Sequence, residues 1–113
     1  MKQLSMAVLI AAALAVVPVH AQQGDPEAGQ AVYAAKMCGM CHTIAGESGP
    51  MADLGGSLDD VGLRRDAAWL HLYLTEPKAA IADATMPCAA LTEQELADLI
   101  AYLLTLRGSS GSD

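Results

Sequence analysis

The chain has 113 residues, 53% of them hydrophobic, with six basic side chains against 13 acidic ones and a formal net charge of −7. That balance disfavours nucleic acid and anionic lipid as partners and favours a positive docking patch, unless the charge serves only solubility. Three cysteines, four aromatic residues and no Phe exclude a disulfide-dense scaffold and leave a small core in need of a staple.

Lys2 supplies a positive N-terminal region, Met6 to Val19 is apolar, and Val19-His20-Ala21 resembles a small-residue cleavage site. Residues 1–21 therefore read as a secretory signal peptide, leaving a mature domain over 22–113 and a periplasmic location. The apolar run has 14 residues, short of the ~20 that cross a bilayer. No stable membrane span is expected after cleavage. Loss of Lys2 leaves five basic residues against 13 acidic, a charge of −8.

Asp25 has the character of an N-cap, with Pro26 at the first helical position and Glu27 in the first turn. The spacing predicts a helix to about Lys36, with Gly29 and Tyr33 on one face. A glycine inside a helix costs about 1 kcal/mol against alanine, and is justified only where another helix crosses closely. The helix runs into Cys38-Gly39-Met40-Cys41-His42. C-x-x-C-H is the attachment spacing of c-type haem. Two thiols three positions apart can each bond one vinyl group of a single porphyrin, and the adjoining imidazole becomes the proximal iron ligand. The competing readings are a redox dithiol and a zinc site, and zinc would want a second ligand pair. With Cys38 and Cys41 committed to haem, Cys88 has no partner in the chain.

Thr43 to Asp60 is a loop by composition. Its Pro50 is either an ordinary turn residue or the carbonyl that accepts a hydrogen bond from the second nitrogen of His42. Asp66 to Thr75 returns to helical spacing and Pro77 stops it. Trp69, Leu72 and Tyr73 share one side of that helix; a buried indole N–H needs a partner, and a haem propionate is a candidate. Arg64 and Arg65 at the helix entrance are further propionate candidates, or a solvated pair. Lys78 to Ala90 is irregular and carries Met86-Pro87. Thr92 and Glu95 then form a capping box, followed at helical spacing by Leu96, Leu99, Ile100, Leu103 and Leu106, with Gly108 at the end. The tail from Ser109 to Asp113 should fray. No strand pattern is visible, and the fold class is all-α.

A haem iron held by His42 needs a ligand on its other side. Met37 and Met40 are tied to the attachment motif, and Met51 lies only nine residues beyond His42. Met86 is far enough along the chain to cross over, and Pro87 keeps it out of the helical region. Met86 is therefore the expected second ligand. His71, mid-helix, reads as a surface or core histidine. Cys88 reads as a small buried hydrophobe, an interchain thiol or an occasional substitute for Met86.

Taken together, the motif, Gly49-Pro50, the Arg65 to Pro77 stretch with Trp69-Leu70, Thr85-Met86-Pro87 and the Leu99/Tyr102 helix resemble a class I monohaem cytochrome c of the short bacterial, periplasmic type. The resemblance covers nearly all of 22–107. It implies three to four helices around one covalently attached haem c, with N- and C-terminal helices crossing where Gly29 and Tyr33 meet Leu99 and Tyr102. It implies haem bound through Cys38 and Cys41, iron ligated by His42 and Met86, and a one-electron carrier between redox partner proteins rather than an enzyme. The alternatives are a haem c electron-transfer subunit of a larger oxidoreductase complex, and a haem enzyme or gas sensor with an open iron position. Cys88 departs from the family pattern, and the acidic balance differs from the lysine-rich docking face of mitochondrial-type members.

Overall fold

The structure, a computed structural model, describes residues 23–87 and 89–108. The expected signal peptide, Cys88 and the tail from Ser109 lie outside the described residues. Two capped helices frame what is described. In α1 (Pro26–Ala35) Asp25 is extended, its carboxylate accepts the Glu27 N–H at 3.1 Å, and Pro26 occupies the first turn, where no donor is needed. In α6 (Glu93–Thr105) the capping box is complete. Thr92 Oγ1 accepts the Glu95 N–H at 3.1 Å, and Glu95 Oε1 accepts the Thr92 N–H at 2.9 Å.

The two helices cross at Gly29. A Cβ there would overlap the Asp98 carbonyl oxygen and sit 2.7 Å from Tyr102 Cβ, so the backbones approach to a distance that only glycine permits. Tyr33 meets Tyr102 edge to face, ring centroids 5.9 Å apart. Asp98 is buried yet satisfied: its Oδ1 accepts the Asp25 N–H and the Gln94 Nε2, each at 2.9 Å. It thereby ties the start of α1 to α6.

Val32, Leu96, Leu99, Ile100 and Leu103 from this pair form one core with Val61, Leu70 and Leu74. Leu70 and Leu74 come from α4 (Ala67–Thr75), where Asp66 caps by accepting the Trp69 N–H at 2.8 Å. Pro77 ends α4 as expected and also opens α5 (Pro77–Ala80) as its first residue. Val61 belongs to α3 (Val61–Arg64), which meets the end of α6 through the Gly62 N–H donating to the Leu106 carbonyl at 2.8 Å. Among the described residues no helix is long and apolar enough to cross a membrane.

The stretch read as a loop holds short regular structure. A 3-10 turn (Cys38–Met40) leads to β1 (His42–Ile44), β2 (Glu47–Ser48), α2 (Ala52–Gly55) and β3 (Gly56–Ser57). The strands make a small sheet in the order β2-β1-β3. β1 and β2 are antiparallel, joined by Ala45 and Gly46 at φ 52° and 80°, the left-handed pair of a tight hairpin. β1 and β3 are parallel, His42 opposite Gly56 and Thr43 opposite Ser57. Strands of two or three residues are too short to show an alternating pattern, so the sequence gives no sign of them. Helices supply every residue of the main buried cluster, and the all-α class stands.

Candidate functional site

α1 ends at Ala35, and Met37 turns the chain out of it in the left-handed conformation, φ 60° and ψ 31°. The 3-10 turn follows. Its closing bonds, Met40 N–H to the Met37 carbonyl at 3.1 Å and Cys41 N–H to the Cys38 carbonyl at 3.2 Å, wind the motif at three residues per turn. At that pitch positions i and i+3 eclipse. Cys38 and Cys41 thus share one side of the turn, both half-buried and free of disulfide. This is the local reason why two intervening residues, and not one or three, let both thiols meet one flat partner.

His42 opens β1, and the parallel pairing with β3 brings a carbonyl to its ring. Nδ1 lies 3.3 Å from the Gly56 carbonyl oxygen. A proton on Nδ1 donates to that oxygen, fixes the tautomer and leaves the Nε2 lone pair for a metal. Gly55 completes the cradle: a Cβ there would lie 2.6 Å from His42 Cε1 and 2.7 Å from Nδ1. The expectation that Pro50 supplies the carbonyl is corrected: Pro50 is exposed, and the accepting group is Gly56. The register of two-residue strands decided this. The signal available in the sequence was the Gly55-Gly56 pair, where the chain passes closest to the ring.

The Cys38 thiol does not suit redox exchange. Burial pushes the Cys38 thiol above its ordinary value, outweighing the backbone hydrogen bond that lowers it. A reactive dithiol needs the opposite shift. Among the described residues no three His, Cys, Asp or Glu side chains gather to hold a bare metal ion, so zinc lacks a ligand set. Haem fits better. Tyr33, on the α1 face that meets α6, also packs beside the motif, its Cε1 3.5 Å from where a Gly39 Cβ would be. Its hydroxyl is buried with no hydrogen-bond partner among the described residues, as expected where a group other than protein completes the surroundings.

Burial above all pushes the Tyr33 phenol up to about 12. The native state therefore holds this proton more tightly than the unfolded chain, whose tyrosines ionise near pH ~10. The associated stability is complete below pH ~10 and is lost as pH rises toward about 12. Tyr33→Phe should flatten that alkaline decline, measured as denaturation midpoints across the interval.

The remaining candidates separate clearly. Met86, between α5 and α6, is half-buried and packed against the core. Met37 and Met51 are exposed, and Met40 lies within the attachment turn. His71 is exposed on α4. Arg64 is engaged by Asp60, Nε to Oδ1 at 2.9 Å. Arg65 lies over Trp69, 4.0 Å from the ring centroid, and Trp69 stacks on Tyr73 at 4.9 Å and 11°. The Arg65-Trp69-Tyr73 column follows the i, i+4, i+8 spacing of the sequence, in which a propionate is one candidate partner for Trp69 and for Arg65.

A search of curated proteins gives no match. The family model for Cytochrome c matches residues 26–107, the span from the first residue of α1 to just beyond α6. With two thiols on one 3-10 turn, an imidazole held by Gly56 and terminal helices crossing at Gly29, the chain belongs to the cytochrome c family, in which haem c with its iron is bound covalently through a motif that Cys38, Cys41 and His42 supply.

Proposed function

We propose that the protein is a periplasmic one-electron carrier in which His42 and Met86 hold the iron of its haem from opposite sides. The bound haem supplies the Fe(III)/Fe(II) couple. His42 would ligate through Nε2, oriented by the Gly56 carbonyl at Nδ1. Met86 would add its thioether, which favours the reduced iron and raises the potential relative to a second imidazole. With both His42 and Met86 as ligands, the iron would have no open place for a substrate, which favours carriage over catalysis. The sequence pattern over residues 1–21, read as an export signal, supports the periplasm. The observation that carries the reading is the attachment turn, with both cysteines on one side and His42 cradled by Gly55 and Gly56.

A second reading is a haem c subunit held in a larger oxidoreductase complex. Exposed Met37, Met51 and Leu54 near the motif favour it, since a permanent partner would bury them. Denaturing intact-mass analysis of protein matured in a periplasm tests the attachment that both readings need. One haem should stay on the wild-type chain, and the Cys38→Ser/Cys41→Ser double variant should carry none. A wild-type mass without haem would end both readings.

A further inference from the structure

Between α4 and α6, on the side turned away from the attachment motif, runs a groove of about 890 Å³. Small apolar side chains line it: Ala67 and Ala68 from α4, and Ala97, Ala101 and Leu104 from α6. Its direction follows from helix geometry. An α-helix turns about 100° per residue, so Ala97 and Leu104 stand about 140° and 160° around α6 from Tyr102. Tyr102 meets Tyr33, which packs beside Gly39 of the attachment turn. On α4 the same geometry sets Ala67 about 160° from Trp69, and His71 as far from Tyr73. Both helices therefore turn the groove away from the side on which the cysteines hold their cofactor.

The groove is nearly uncharged on an otherwise acidic chain. Of 13 acidic and six basic residues, Glu93 alone lines it. His71 stands on the α4 wall and Glu93 on the α6 wall. Both are exposed, and neither side chain forms a hydrogen bond or ion pair among the described residues. A net charge of −7 keeps copies of the chain apart on other faces. Here that repulsion is weakest.

We propose that this groove is the contact face between two copies of the chain, related by a two-fold axis running along it. Such an axis lays α4 of one copy over α6 of the other. Each His71 then meets Glu93 of the second copy, so two imidazole donors and two carboxylates are matched at once. The alanines carry only methyl groups, which lets the backbones come close and costs no side-chain entropy. A basic partner would find one carboxylate here and an acidic partner one histidine, whereas a second copy supplies both. α6 is about 20 Å long, so the contact is small and the association weak. The attachment turn of each copy stays on the outside, open to electron exchange. The inference goes beyond the carrier reading and does not depend on the second iron ligand.

Sedimentation of the reduced holoprotein tests it, with a thiol reductant present so that Cys88 cannot link chains. The mean mass should rise from one chain toward two between about 10 μM and about 1 mM. His71→Glu sets a carboxylate against Glu93 of the second copy and should weaken the dimer about tenfold. Glu93→His removes the match and should weaken it too. The double variant His71→Glu/Glu93→His should restore the dimer, because the exchange preserves the crosswise pairing. Both positions are exposed, and an unchanged haem absorption spectrum and urea midpoint control for folding. A single chain at every concentration, a dimer indifferent to His71→Glu, or a double variant no tighter than the single ones would overturn the proposal.

Discussion

Gly29→Ala will destabilise the domain by about 3 kcal/mol, although helix propensity alone predicts a gain of about 1 kcal/mol. The added methyl would overlap the Asp98 carbonyl oxygen and crowd Tyr102 Cβ. Both lie on the backbone or at its first side-chain carbon, so no rotamer change relieves the clash. α1 and α6 must move apart, and the movement loosens Val32 against Leu99, the Tyr33–Tyr102 edge contact and the Asp98 bond to the Asp25 N–H. A domain of this size is stable by only ~5–15 kcal/mol, so the loss is a large share of the total. Urea denaturation of the holoprotein checks it. A midpoint equal to or above wild type would mean that the helices do not cross through this glycine.

Met86→Ala will change the iron more than the fold. Truncating a half-buried methionine packed on the core costs on the order of 2 kcal/mol, which leaves the domain folded. With the sulfur gone, the preference for the reduced state goes with it. The midpoint potential should fall by on the order of 0.1 V or more, well inside the range of ~0.8 V that axial ligands command. The vacated position should also take cyanide or carbon monoxide rapidly, where the wild-type protein binds them slowly or not at all. Potentiometric titration and ligand-binding kinetics read the two effects. An unchanged potential with unchanged ligand exclusion would remove Met86 from the iron and return the choice to the other candidates.

The parts legible in the sequence were those with local causes. Asp25-Pro26, Asp66 and Thr92/Glu95 begin helices because their side chains satisfy free backbone donors or, for proline, need none. Spaced leucines mark the buried face of α6. The unfavourable Gly29 pointed to a crossing that the structure shows. The cysteine spacing identified the cofactor because a 3-10 turn eclipses positions three apart.

What stayed hidden depends on pairing across the chain. β1, β2 and β3 are too short to carry a period, and their register gives Nδ1 of His42 to Gly56 instead of Pro50. Arg64 and Asp60 stood four apart in plain view, yet spacing alone leaves Arg64 either solvated or free to reach a propionate. Pro77 read only as a stop, although a proline at a first helical position equally starts the next helix.

The account turns on the second ligand, and the ferric absorption spectrum tests that most directly. Methionine-bound ferric haem absorbs weakly in the red through sulfur-to-iron charge transfer. The wild-type protein should show this band and Met86→Ala should lack it. A wild-type spectrum without the band, or a band that survives in Met86→Ala, would contradict the account.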